Sequence, residues 1–504
     1  MAVYKILTRD GVADPGQEQM LLDIAGELQK PGARLLLHLH GGLVDEASGL
    51  SGATRLSGGG PNSWQLPAEN PAWTELYVIW RTGAFETIKT NWTDLVHDDR
   101  LYQTVLKKLI GFVARKLGVP AIAARGPGSL AIDEDEILRR VKGHGDTARP
   151  FVEIDELMAP TQPVGARATL MGEQTNGDLA MEFEGELAED PDFQQSAADI
   201  DEAINVPSGA RAPSVGADMG EGAKMLDRLD TGIQAKLAPP VAVAGAPRGI
   251  VSAGVFLLSH AGQIAIRCFK RFKSGRDHGL HATIVEEVCR ELYGDLVGAK
   301  VWGMMVQDAA DHFGSGKLGS ALVDIVKAHP PQDFVITGHS AGSIWASRFL
   351  LAAKAAGVTK PVRLFLLAPA VRQDLFADMI SKAGDLIERC RMITMTDELE
   401  RRDAVLGHDK GYIYPSSLLY VVSGMFEEMN AKAYPDAPIL GMQRFATVSG
   451  FDPQEQSTAK AIAAFFQAPD HGIISSPTAG VSVADAHGDF DNEPLTLATA
   501  RALF

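Results

Sequence analysis

Cysteine is scarce in this chain: 504 residues carry three, Cys268, Cys289 and Cys390. Their odd number and wide spacing exclude a disulfide framework and a Cys-x-x-Cys metal motif, and a reducing, cytoplasmic setting is expected. An excess of positive charge is also lacking. Lys and Arg total 47 against 64 Asp and Glu, a formal net charge of −17, so no general basic surface is on offer for a phosphate backbone and no nucleic acid is expected as partner. The opening MAVYKILTRDGVADPG lacks the basic flank and long apolar core of a secretory signal. Nor does the chain hold a clean apolar run of about 20 residues, as a membrane span would need. The nearest approach, residues 250–276, is interrupted by Ser252, Ser259, His260 and Gln263 and ends in Arg267, Lys270, Arg271, Lys273 and Arg276. It reads as a buried helix with a solvated basic end, the alternative being a helix in peripheral contact with a membrane surface. Internal repeats and heptads are missing too.

What is present is ordinary globular material, 45% hydrophobic and 22% charged, long enough for a large domain carrying an insertion. Short apolar runs bounded by turn residues fall at 3–7, 33–42, 75–80, 333–338, 362–369, 390–396 and 443–450, with helical patterns between them. Near-continuous apolar strands alternating with helices predict an α/β fold: a mostly parallel central sheet with helices on both faces. The spacing is uneven, because some 250 residues separate the run at 75–80 from that at 333–338. The expected organisation is a first core segment over 1–85, a helical and acidic insertion or cap over 86–300, and a second core segment over 301–504. Within the insertion, residues 151–230 hold 18 acidic and 4 basic side chains, a balance of −14. That composition predicts a partly ordered appendage, with a protein partner as one use for its charge. The alternation of Leu179, Met181 and Phe183 with Glu182, Glu184 and Glu186 suggests an exposed-edge strand there.

The most informative stretch is FVITGHSAGSIWASRFLL, residues 334–351. An apolar strand runs into Gly338-His339-Ser340-Ala341-Gly342 and continues as a helix with Ile344, Trp345, Phe349 and Leu350 at helical spacing. A strand that turns sharply into a helix brings the residues two places either side of the bend into close approach, so glycine is needed at both. The bend would hold the Ser340 hydroxyl above the sheet edge beside the amides of a helix N-terminus. A bare G-x-S-x-G match is weak in a chain with 51 glycines, and a simple turn serine is the alternative. The strand-before, helix-after context favours a nucleophile.

A serine hydroxyl needs a base, and the base an orienting acid, here expected after later strands with the acid first. Asp397, at the end of the 390–396 run, is the leading acid; Glu398, Glu400 and Asp403 follow closely, so surface salt bridging is the competing use. Of thirteen histidines, His471 and His487 follow the 443–450 run. His487, in the acidic small-residue turn ADAHGDFDN, is the preferred base and His471 the reserve. Backbone amides for an oxyanion are expected from the early loop His40-Gly41-Gly42-Leu43, with Gly42 and Leu43 as donors beside Ala341. Otherwise the two glycines merely make a tight strand exit.

With this loop, the GHSAG elbow and the order Ser340, Asp397, His487, the chain resembles the α/β-hydrolases over roughly residues 1–85 and 300–504. The resemblance implies a Ser-His-Asp triad and no cofactor or metal. It departs from the family in carrying its extra sequence before the serine rather than after. The expected activity is a serine hydrolase cleaving a carboxylic ester, apolar or lipid-like. A peptidase or amidase using the same groups is one alternative, and a catalytically silent scaffold that binds a partner protein is another. An unperturbed imidazole would make the rate rise with pH near about 6.5.

Overall fold

The computed structural model describes residues 2–42, 44–68, 72–80, 85–117, 134–142, 151, 174–205, 220–237, 252–405, 414–427, 436–446 and 451–504. Eight strands form one sheet: β1 Ala2–Arg9, β2 Val12–Ala13, β3 Arg34–Leu39, β4 Trp73–Trp80, β5 Asp333–His339, β6 Val362–Leu367, β7 Ile387–Met395 and β8 His471–Ser476. Their order is β2-β1-β4-β3-β5-β6-β7-β8. Among the described strands of this sheet, only the β1–β2 pair is antiparallel.

Side chains alternate across the pleat, so each strand feeds two cores. Leu35, Leu37, Phe334 and Ile336 point to one face, Leu36, Val335, Phe365 and Ile393 to the other. Helices Glu18–Leu28, Leu318–Ala328 and Gly342–Ala355 cover the first face, Glu46–Ser57 and Pro494–Ala500 the second. The α/β expectation with helices on both sides holds. Because the strands from β3 onward are parallel, the loops after Leu39, His339, Leu367 and Met395 all leave from one edge of the sheet.

Two secondary-structure expectations are corrected. The segment 179–187 is not a strand but part of the helix Asn176–Ala188. Leu179, Phe183 and Leu187, four apart, are buried, whereas Met181 is 65% exposed, and Thr175 with Asp178 closes a capping box at its start. The run at 443–450 is not the last strand either. Gln443–Ala446 is a 3-10 turn, and 447–450 lie outside the described residues. Phe445 stacks on Phe451, and the Arg276 guanidinium lies over both rings. The eighth strand is instead His471–Ser476, short and only half-buried, which gives it little apolar signal.

The acidic segment finds its countercharge inside the chain. The helix Arg100–Lys116 presents Arg100, Lys107, Lys108, Arg115 and Lys116 to the helices Asn176–Ala188 and Pro191–Asn205 and the turn between them, pairing with Asp199, Asp192, Asp190, Glu186 and Glu182 respectively. Each exposed pair is worth under about 1 kcal/mol, and the same helices share a buried apolar core that includes Phe112, Phe183 and Phe193. Residues 152–173 and 206–219 of that segment lie outside the described residues.

The expectation of a solvated basic end on the 250–276 helix is also corrected. Arg271 is fully buried against Glu286 at 2.6 Å and Glu287 at 2.8 Å. Arg276 is buried between Asp436 and Glu455, and Arg267 pairs with Glu287 and Glu291. Of the basic residues on the helix Ala253–Ser274, Arg267 and Arg271 are thus paired internally while Lys270 stays exposed, and Arg276, just past the helix, reaches residues 436 and 455. One apolar core runs continuously from the sheet into these helices. No helix among the described residues is long and apolar enough to cross a membrane. All three cysteines are buried thiols.

Candidate active site

β3 lies beside β5 with Leu39 opposite Gly338, so the His40–Gly42 loop and the serine bend emerge side by side. Ser340 adopts φ +50°, a left-handed conformation that costs a non-glycine residue about 1–3 kcal/mol. The strain is held by hydrogen bonds. The Ser340 N–H donates to Leu367 O, and its carbonyl accepts from Ser343 N–H, Ser343 Oγ and Ala370 N–H. The glycines two places either side meet the steric demand read from the sequence. A Cβ on Gly338 would lie 3.0 Å from Gly342 C, and one on Gly342 would lie 2.2 Å from Leu39 O.

His487 arrives from the other side of the edge, in a 3-10 turn His487–Asp489 following β8. Its Nε2 lies 2.9 Å from Ser340 Oγ. The ring is buried, and burial, reinforced by neighbouring His339, lowers its pKa from the usual 6.5 to about 3. A neutral imidazole can accept the serine proton. The two side chains thus meet as the sequence suggested, across 147 positions.

Asp397 does not join them. Its carboxylate accepts from Tyr420 OH at 2.6 Å, and Arg444 donates to the same phenol oxygen. His487 Nδ1 is buried with no hydrogen-bond partner among the described residues. The strand end places Asp397 at the start of a short helix, Asp397–Glu400, capped by Thr396, and that turn aims it at the Tyr420–Arg444 pair instead. The carboxylate that does reach the His487 segment is Asp403, which accepts the His487 backbone N–H at 2.7 Å. His339, visible in the sequence only as motif filler, donates from Nε2 to the His487 carbonyl at 3.1 Å. The only sign of Asp403 in the sequence was its closeness to Asp397. His471, the reserve base, lies on β8, where its Nδ1 accepts the Cys390 N–H and its ring stacks on Phe465, away from the serine.

The early loop lies against the bend. A Cβ on Gly41 would be 3.4 Å from Ser340 Cβ, and one on Gly42 2.9 Å from Ala341 Cβ. His40 holds this loop: Nδ1–H donates to Gly41 O at 2.6 Å and Nε2 accepts the Trp80 N–H at 3.2 Å. Using both nitrogens this way requires the neutral tautomer, and burial lowers the His40 pKa to about 4. Neither the Gly42 nor the Ala341 N–H donates to another described group. Leu43 lies outside the described residues. Over these groups opens a cavity of about 710 Å³, whose walls include Asp45, Asp403, Asp491 and the apolar Val44, Val405 and Leu418.

The depressed His487 pKa moves the expected pH response. A base already neutral at pH 5 gives a rate that changes less than about twofold between pH 8 and pH 5, because the reactive form is lost only as pH falls toward 3. The second-order rate of inactivation by a fluorophosphonate measures this in the free protein. An inflection near pH 6.5 would refute the burial account.

Neither protein-family models, curated proteins nor solved structures match this chain.

Proposed function

We propose that this protein is a serine hydrolase of α/β-hydrolase architecture that cleaves carboxylic esters through an acyl-enzyme on Ser340. The observation that carries the reading is the 2.9 Å contact between Ser340 Oγ and Nε2 of a buried, neutral His487, at a bend strained to φ +50°. In this reading His487 takes the hydroxyl proton as Oγ attacks the ester carbonyl, then returns it to the departing alcohol. The Ala341 and Gly42 amides face the developing oxyanion. Water then attacks the acyl-enzyme by the same relay in reverse.

A volume of about 710 Å³ is ample for a small ester. Its walls combine imidazoles, carboxylates and glycines with a few short aliphatic side chains, which suits a short acyl group better than a long lipid chain. The helix Ala253–Ser274, weighed from sequence as a membrane-surface element, supplies none of the described lining.

The test is labelling with a fluorophosphonate probe. The wild-type protein should be modified stoichiometrically at Ser340, and Ser340→Ala should lose all labelling. A protein left unmodified, or a variant that still labels, would refute the assignment.

A further inference from the structure

We infer that Asp403 and His339 are positioning residues which grip the two peptide groups of His487 and so aim its imidazole at Ser340. The inference rests on the serine-hydrolase reading and deepens it.

His487 Nε2 meets Ser340 Oγ, yet its Nδ1 is buried without a partner among the described residues. A side chain held only at the reacting end would be poorly aimed, since the ring can turn about two bonds. The main chain on either side is held instead. Asp403 Oδ2 accepts the His487 N–H at 2.7 Å, a short N–H···O hydrogen bond. On the other flank the His487 carbonyl accepts from His339 Nε2 at 3.1 Å. A carbonyl has no proton to give, so His339 must carry a hydrogen on Nε2. The His339 ring also stacks on the His487 ring, with centroids 5.4 Å apart and planes 29° apart, which limits the tilt of the imidazole.

Both clamps are anchored in the machinery they serve. His339 immediately precedes the serine on β5, so strand and bend position it together with Oγ. Its Nδ1 lies 3.8 Å from Asp491, whose carboxylate also faces Arg55 at 3.6 Å. Asp403 lies in the loop after β7, past the helix that carries Asp397, and lines the cavity. Base and nucleophile are thereby referred to one frame, the carboxyl edge of the parallel sheet. A displacement of about 1 Å in such a frame costs on the order of 10²-fold in rate.

What the grip needs from Asp403 is an acceptor, not a charge. Asn retains a carbonyl oxygen for the His487 N–H; Ala does not. His339 likewise needs only a donor at the Nε2 position: Gln offers one, Phe keeps the ring without it. Fluorophosphonate inactivation of the full-length protein separates the outcomes. Asp403→Ala and His339→Phe should each lower the maximal inactivation rate by about 10²-fold while the probe's half-saturation stays within about threefold. Asp403→Asn and His339→Gln should each recover to within about threefold of wild type. Were Asp403→Asn as slow as Asp403→Ala, the charge would be the working element and the grip would be refuted. Wild-type rates in all four variants would refute it equally.

Amide hydrogen exchange at His487 reads the grip without any chemistry, so it stands even if Ser340 never labels. Exchange should quicken at least about tenfold in Asp403→Ala and stay slow in Asp403→Asn, with thermal midpoints checking that each variant is folded. An unchanged exchange rate in a folded Asp403→Ala protein would overturn the inference.

Discussion

Gly342→Ala should destabilise the protein by about 3 kcal/mol or more, the upper end of what overpacking costs. The added Cβ would lie 2.2 Å from Leu39 O, 2.8 Å from Leu39 C and 2.9 Å from His40 O. All three are backbone atoms. A flexible side chain could swing aside, but here the end of β3 or the whole bend has to move, and both are fixed by the β3–β5 ladder. The same shift would displace Gly41 and Gly42 from the serine. Gly338→Ala is milder, because its closest contacts, also backbone atoms, lie at 3.0–3.1 Å rather than 2.2 Å and would need to shift by only a few tenths of an ångström. Gly60→Ala, with nothing within 4 Å of the added atom, serves as the control. Urea unfolding measures all three. The midpoint should fall most for Gly342→Ala, less for Gly338→Ala and negligibly for Gly60→Ala. A Gly342→Ala protein as stable as wild type would show that the bend is not sterically closed.

The parts of this protein that could be read from the sequence are those governed by neighbours along the chain. β3, β4 and β5 announce themselves because buried parallel strands are apolar on both faces, and the serine bend because its glycines stand two residues either side. His487 was legible for a similar reason: few histidines follow the later strands, and its turn is rich in small residues. Where the cause lies far away in sequence, the reading failed. Asp397 ends the right strand, but its direction is set by Tyr420 and Arg444, 23 and 47 positions on. The Leu179–Leu187 pattern fits alternation and helix alike, and the decision came from packing that leaves Met181 outside. The basic run that ends the 250–276 segment looked solvated because the acidic partners of Arg271 and Arg276, among them Glu286, Asp436 and Glu455, lie as far as 179 residues downstream. Burying an arginine is tolerable only with such partners, and removing one would leave an uncompensated interior charge. Long-range charge complementarity has no period to detect.

Single and double removal of the serine and histidine should cost the same. Ser340→Ala and His487→Ala are each expected to lower kcat for p-nitrophenyl butyrate by about 10⁴-fold or more, and the double variant by no more than the worse single one. On the serine-hydrolase reading, the 2.9 Å contact makes one chemical device of the two side chains. Without the imidazole the hydroxyl keeps its proton and attacks poorly; without the hydroxyl the imidazole has nothing to activate. Removing either therefore removes the covalent route entirely. What survives is whatever the cavity and the amides of Gly42 and Ala341 do for direct attack by water, and that residue is common to all three variants. Burial adds a second reason for the coupling. A neutral base poised at pH 5–8 is held only while its ring stays enclosed beside Ser340 and His339. Steady-state hydrolysis by purified variants, with folding checked by thermal melting, gives the three numbers. Losses that multiplied, so that the double variant fell far below either single one, would mean that Ser340 and His487 contribute separately, and the relay between them would have to be abandoned.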